Sequence, residues 1–302
     1  MTASPDRAAA DSPLLCGLDH VVVAVRDLDA AVAAYRTVLG RAPAWRAPAD
    51  GGGAAVATFA LANVALELMA PSGAGAMAER LAAVLEAQGE GLASLAFATG
   101  DIDRVHRRLA RLGLEPEPIA EGVSVDTATG ARRPWRRTRA ATARTHGVRL
   151  FVMQQPALPP SPALGAEPAA VSGLDHVVIR TPDPERAAAL YGARLALDMR
   201  LDRTNPAWGA RLLFFRCGDL IVEIAHDLAA GVGAGPDRLW GLSWRVPDAD
   251  AARARLSAAG LDVSEVRAGR KPGTRVLTLR DGTSGVPTLL LERGPAARAG
   301  LG

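Results

Sequence analysis

Gly17-Leu18-Asp19-His20-Val21-Val22-Val23 returns as Gly173-Leu174-Asp175-His176-Val177-Val178-Ile179. In each copy a Glu follows the His at a spacing of 47, inside an apolar run: Glu67 in Val-Ala-Leu-Glu-Leu-Met and Glu223 in Leu-Ile-Val-Glu-Ile-Ala. A fixed internal repeat is the sequence signature of a duplicated scaffold. A His and a carboxylate held at one spacing in both copies make candidate metal ligands.

Outward from these stretches, each half divides again. Asp27-Leu-Asp29, Asp101-Ile-Asp103, Asp183-Pro-Glu185 and Asp248-Ala-Asp250 each stand at the end of a short apolar run. An acidic side chain at a helix start accepts from free N–H groups and suits the helix dipole. Pro184 is tolerated in a first turn, where no intrahelical N–H is needed. Leu28, Val32, Tyr35 and Leu39 then recur at helical period, as do Ile102, Val105, Leu109 and Leu112. Gly40, Gly113 and Gly260 read as helix stops. Short β-type runs follow each helix: Ala55–Leu61 and Val64–Met69, Arg211–Cys217 and Leu220–Ala225, Arg275–Arg280 and Pro287–Glu292. The unit is strand–helix–strand–strand–strand, repeated four times. Arg132-Arg133-Pro134 stands opposite Arg270-Lys271-Pro272, and Gly147-Val148 opposite Gly285-Val286, which puts Gln154 in the place of Glu292.

The fold class expected is α+β, with four βαβββ modules paired into two cupped-sheet domains. Their bounds are 16–155 and 173–295, with tails at 1–15 and 296–302. Residues 156–172 hold five prolines, and such density favours an extended spacer. The length of 302 residues agrees with two domains. No uncharged apolar stretch reaches about 18 residues, so no membrane span is expected. Residues 1–15 carry Asp6, Arg7 and Asp11 and lack an apolar core segment, so no secretory leader is expected. Two cysteines are too few for a disulfide framework, and a reducing cytoplasm is the default location. The net charge is +3, and the basic residues are almost all Arg, Lys271 being the one Lys.

Leu-Asp-His-Val-Val-Val-Ala-Val-Arg-Asp-Leu-Asp (18–29), followed by Tyr35-Arg-Thr-Val-Leu-Gly40, resembles the opening strand and helix of the vicinal oxygen chelate superfamily. That superfamily includes glyoxalase I, extradiol ring-cleavage dioxygenases and bleomycin-resistance proteins. The resemblance implies a metal in each cup, held from the first and last strands of two modules. By position it implies His20, Glu67 and Gln154 in the first domain and His176, Glu223 and Glu292 in the second. Ser94 and Gly241 depart from the family pattern, because they stand where a second His would be.

Two carboxylates and a neutral imidazole would balance a divalent ion and leave open coordination places. Fe, Mn, Ni, Zn and Mg all suit such a set. With Gln154 the first set carries one negative charge fewer, so the second domain is expected to hold metal better. Lewis-acid and proton-transfer chemistry on a small oxygenated metabolite follows, of glyoxalase, isomerase or lyase type, with Glu223 or Glu292 as the base. An extradiol-type dioxygenase is the alternative enzyme, disfavoured by Gly241, since oxygen-activating iron usually takes two His and one carboxylate. A metal-free binding protein of the bleomycin-resistance kind is the alternative of another class.

Seven arginines between 132 and 149 are expected on a solvated hairpin, with Arg133 and Lys271 facing water. Trp45 and Trp208 stand where they would rim a cup; Trp244 is expected in the core, and His226 off the site. The partners expected are a small-molecule substrate and, in a homodimer, a second copy of the chain. Neither a nucleic acid nor a membrane is expected.

Overall fold

The computed structural model describes residues 13–48 and 52–294. The expected tails lie largely outside these residues. The first half runs β1 (Gly17–Ala24), α1 (Leu28–Leu39), β2 (Trp45–Pro48), β3 (Ala54–Ala60), β4 (Ala65–Pro71) and α2 (Ala76–Gln88). It continues through β5 (Gly91–Ala98), α3 (Ile102–Arg111), β6 (Ala120–Val125), β7 (Arg132–Arg139) and β8 (Leu150–Gln154). The second half follows with β9 (Gly173–Arg180), α4 (Pro184–Ala188), which passes into a π-helical turn over Ala189–Arg194, β10 (Asp198–Asn205), β11 (Ala210–Cys217) and β12 (Leu220–Asp227). It closes with β13 (Arg238–Arg245), α5 (Ala249–Ala258), β14 (Arg267–Ala268), β15 (Thr274–Leu279) and β16 (Thr288–Arg293). The chain therefore repeats βαβββ four times, with α2 as an additional helix between the first two units. No described helix is long and apolar enough to cross a membrane.

Two units merge into each eight-stranded sheet. The orders are β2-β3-β4-β1-β5-β8-β7-β6 and β10-β11-β12-β9-β13-β16-β15-β14. In each sheet the two opening strands meet antiparallel at the centre, and each lies parallel to the last strand of its own unit. One unit is thus related to the other by a pseudo-twofold between β1 and β5, or between β9 and β13.

The four acidic anchors cap the four unit helices. Asp27 accepts from Ala30 N, Asp101 from Arg104 N, Asp183 from Arg186 N and Asp248 from Ala251 N. Such a cap contributes about 1 kcal/mol each. Gly40 ends α1 at φ 66°, a left-handed position that costs glycine little.

Strand alternation sends one face to the helices. Val21, Val23, Leu66, Leu68, Leu95 and Phe97 pack with Tyr35, Leu39, Val105 and Leu109 in a core that continues through both halves. Polar ties reinforce the junction: Tyr35 Oη donates to Thr283 O at 2.9 Å, and Arg255 Nη2 to Val38 O at 2.9 Å. The proline-rich segment is held as well. Buried Arg41 donates to Ser161 O and Val171 O, both at 2.5 Å, and pairs with Glu167. The other face of each sheet is the concave one.

Candidate functional site

A β-bulge aims each histidine. Leu18 pairs with Phe97 and His20 with Ala96, so Asp19 is the extra residue on β1. In the same way Leu174 pairs with Trp244 and His176 with Ser243, leaving Asp175 unopposed. A bulge lets two successive side chains share one side of a strand. Asp19 Oδ1 lies 2.7 Å from His20 Nδ1, and Asp175 Oδ1 lies 3.0 Å from His176 Nδ1. The contact orients each imidazole and leaves Nε2 as the nitrogen available to the cup. Burial opposes the charged ring. For His20 the Glu67 charge and the Asp19 hydrogen bond outweigh it, and its pKa is raised. His176 is raised in the same sense: the Asp175 hydrogen bond and the Glu223 charge overcome burial.

Glu67 and Glu223 share the concave face with the histidines. Glu67 stands beside Val22 on β4, and Glu223 beside Val178 on β12. His176 Nε2 lies 3.7 Å from Glu223 Oε2. Burial raises the pKa of Glu223, against the charges of His176 and Arg270.

The pseudo-twofold places the partner positions. Ser94 occupies the place of His20, and Ala96 that of Val22. Ala96 pairs with Phe151, so Phe151 is the counterpart of Glu67. In the second sheet Gly241 answers His176, and Ser243 pairs with Leu289, the counterpart of Glu223. Each cup therefore carries one His and one Glu, while the facing unit offers Ser94 and Phe151, or Gly241 and Leu289.

Gln154 and Glu292 turn the other way. Gln154 Oε1 accepts from Ile102 N at 3.2 Å, and its Nε2 donates to Gly100 O at 2.9 Å. Glu292 Oε2 accepts from Ala249 N at 2.9 Å and pairs with Arg275. Both serve helix starts, so the expectation that they join His20 and Glu67, or His176 and Glu223, is corrected. The next residues sit beside the bulges instead. Gln155 Nε2 donates to Asp19 Oδ1 at 2.6 Å, and Arg293 Nε to Asp175 Oδ2 at 2.6 Å.

The arginine-rich hairpin is divided by strand alternation rather than solvated throughout. Arg133, Trp135, Arg137 and Arg139 of β7 face the first cup, as does Arg149 just before β8. Arg136 faces away and pairs with Asp103 and Glu121. Arg133, expected to face water, lines the cup; its Nε donates to Pro156 O at 2.6 Å, and its charge is felt by His20 and Asp19. The cavity so formed has a volume of about 670 Å³, with His20, Glu67 and Ser94 lining it beside Trp45, Phe151 and Met153. Trp208 lies between the guanidinium groups of Arg203 and Arg270, 4.8 and 4.5 Å from its ring centroid. Trp244 is fully buried in the core, and His226 is buried with Nδ1 3.1 Å from Thr181 O.

The donor set can be tested against a divalent ion. Among the described residues, no three His, Cys, Asp or Glu side chains gather at one point. Two donors per cup fall short of the three that hold a catalytic metal. Arg133 in the first cup and Arg270 beside Glu223 add positive charge where a dication would sit. The residues present do not fit a resident metal ion.

The profile of the glyoxalase-like domain matches residues 18–196, and that of the glyoxalase/bleomycin resistance protein/dioxygenase superfamily matches residues 175–278. No curated protein matches the sequence. Among solved structures, a mutant 4-hydroxymandelate synthase from Streptomyces coelicolor superposes with a TM-score of 0.66 at 16% identity, over 93% of each chain. The Mn(II)-bound glyoxalase from Novosphingobium aromaticivorans gives 0.64 at 16% identity, over 93% of this chain and 83% of its own. BphC, a halotolerant catechol dioxygenase, gives 0.59 at 14% identity, over 94% and 88%. At these identities the likeness is one of fold.

Proposed function

This chain belongs to the glyoxalase-like family, and from that membership we propose that it binds a small oxygenated organic acid in the cup of the first sheet and moves a proton on it. The observation that carries the reading is the cavity that holds His20, Glu67 and Arg133 together. The second sheet has its own His–Glu pair; the cavity of about 670 Å³ with aromatic walls lies in the first.

The reaction class is proton abstraction next to a carbonyl. Glu67 takes the proton from carbon as the C–H bond breaks, and the electron pair moves onto the carbonyl oxygen. That oxygen, now an enolate, is met by Nε2–H of the protonated His20 ring, the form its raised pKa favours, and by the Arg133 guanidinium. Charge placed where charge develops is the strongest contribution a site of this kind makes. Asp19 holds the imidazole in place through Nδ1. Where the deprotonated carbon bears a hydroxyl, Glu67 returns the proton to the former carbonyl carbon while the hydroxyl proton passes to the enolate oxygen, which gives the isomer; expulsion of a leaving group from the neighbouring carbon gives a lyase product instead. The manganese of the Novosphingobium glyoxalase belongs to that protein. Here Ser94 and Phe151 occupy the facing positions, so the steps above involve side chains alone.

Those same substitutions favour a second reading, in which the cup sequesters its ligand without turning it over. One experiment separates the two. The protein is incubated in D2O with a panel of 2-oxo and 2-hydroxy acids, and loss of the signal next to the carbonyl is followed by NMR. Exchange that His20→Ala and Glu67→Gln each abolish supports the proton-transfer reading. Tight binding without exchange on any member of the panel leaves sequestration.

A further inference from the structure

The upper wall of the first cup carries more positive charge than its own carboxylates neutralise. Arg139 pairs with Glu117, with its Nη2 2.5 Å from Glu117 Oε1, and lies over the Phe151 ring at 5.7 Å. Arg137 lies over Trp135 at 4.9 Å. Arg149 points into the cup from the residue before β8, and Arg80 reaches it from α2. Among the described residues, Arg80, Arg137 and Arg149 have no carboxylate partner. The outer face of the same strand is built differently, since Arg136 there meets two carboxylates. Arg136 on the outer face is compensated, whereas Arg137 on the inner one is not.

Three of these groups crowd one another. The guanidinium of Arg149 is held below its ordinary pKa by burial and then by the charges of Arg139 and Arg80. Like charges gathered in a partly desolvated wall are costly unless an anion joins them. A single carboxylate is satisfied by one planar guanidinium. A phosphate dianion offers three terminal oxygens and suits several.

We propose that Arg80, Arg137, Arg139 and Arg149 form a subsite for the phosphate of a phosphorylated organic ligand. Its oxygenated end reaches His20 and Glu67, and its middle lies along Trp135, Phe151 and Met153. This assignment of substrate class rests on the proton-transfer reading above for what happens at the far end, not for the binding itself.

The test is calorimetric titration of the full chain with phenyl phosphate and with benzoate at pH 7.5, where the phosphate is a dianion. Phenyl phosphate is expected to bind about tenfold tighter or more, the gain from additional charge-assisted hydrogen bonds. Arg149→Ala is expected to remove most of that preference and Arg149→Lys to restore part of it. Arg80→Ala, on an exposed helix position that does not threaten folding, is expected to weaken phenyl phosphate several-fold with benzoate unchanged. Arg144→Ala, in the turn after β7 where Arg144 pairs with Glu115, leaves both affinities as they are. Equal affinities for the two ligands in the wild-type protein, or an Arg149→Ala and an Arg80→Ala that are folded and bind phenyl phosphate like wild type, overturn the proposal. Proton exchange is run on the same protein with phosphorylated and unphosphorylated 2-oxo acids. A phosphate preference in binding with no exchange on either set supports the subsite and removes the proton-transfer reading alone. Equal exchange on both sets, with no phosphate preference, removes the subsite alone.

Discussion

The Glu292 carboxylate accepts a hydrogen bond from the backbone N–H of Ala249 at 2.9 Å. Ala249 is the first residue of α5, so its N–H has no partner within the helix. Asp248 satisfies Ala251 N, and Glu292 adds a second acceptor from a neighbouring strand. Glu292→Ala is therefore expected to cost about 1 kcal/mol of stability. Chemical denaturation reads that loss. A folded Glu292→Ala as stable as wild type would contradict the role of this carboxylate at the start of α5.

The pseudo-twofold makes a constructive prediction. Ser94→His combined with Phe151→Glu places a second His and a second carboxylate opposite His20 and Glu67. The double variant is expected to bind Ni²⁺ or Mn²⁺ at least about tenfold more tightly than wild type, as two added donors complete a set. Titration with each ion checks it. A folded double variant with unchanged affinity would mean that positions 94 and 151 are not the symmetric partners.

Asp175 links the second bulge to pH. Burial raises its pKa, but the hydrogen bond and charge of His176, with Arg293 and Arg245, outweigh that and hold it at about 2, against an ordinary 3.8. A carboxylate depressed in the folded state stabilises it above the unfolded pKa, and the contribution fades as pH falls from about 4 towards 2. At neutral pH this is worth about 2 kcal/mol. Urea midpoints between pH 6 and 3 are expected to fall more steeply for wild type than for Asp175→Asn. Parallel curves would remove Asp175 from the account.

The two cysteines differ in access. Cys16 is exposed and Cys217 buried, with the Cys217 thiol pushed up to about 12 by burial and the neighbouring Cys16. The thiolate is the reacting form. Iodoacetamide at pH 8 is expected to label Cys16 alone, and Cys217 only in denaturant, as mass spectrometry of the peptides would show. Rapid labelling of Cys217 in the native protein would contradict its packing.

His20 and His176 stand in equivalent bulges but in different surroundings. His20→Ala is expected to lower proton exchange by about a hundredfold or more, the usual scale for losing one donor to a developing oxyanion. His176→Ala is expected to leave exchange in place, since its pair lies in the other sheet. Loss of exchange in His176→Ala alone would move the chemistry to the second cup.

Much of this molecule is legible along the chain because its causes are local. The acidic pairs at 27–29, 101–103, 183–185 and 248–250 mark helix starts, since a cap needs only its own first turn. Alternation in Val-Ala-Leu-Glu-Leu-Met and Leu-Ile-Val-Glu-Ile-Ala turns Glu67 and Glu223 away from the helices, since period two belongs to the strand itself. The repeated Gly-Leu-Asp-His carries the duplication. The additional helix Ala76–Gln88 has weaker marks, with glycines at its ends and no side-chain cap.

What the chain alone could not decide is how β8 and β16 lie against β5 and β13. Gln154 and Glu292 are equivalent to each other, but the register sets Phe151 and Leu289 opposite Glu67 and Glu223. A displacement of three residues is odd, and an odd displacement carries a strand residue to the other face. The same alternation sorted the arginines of β7 into Arg136 outside and Arg133, Arg137 and Arg139 inside. Sequence determined four βαβββ units, their caps and one His–Glu pair in each half. Tertiary pairing decided which side chains share a cup, because register is a relation between strands distant in sequence, and no local pattern specifies it.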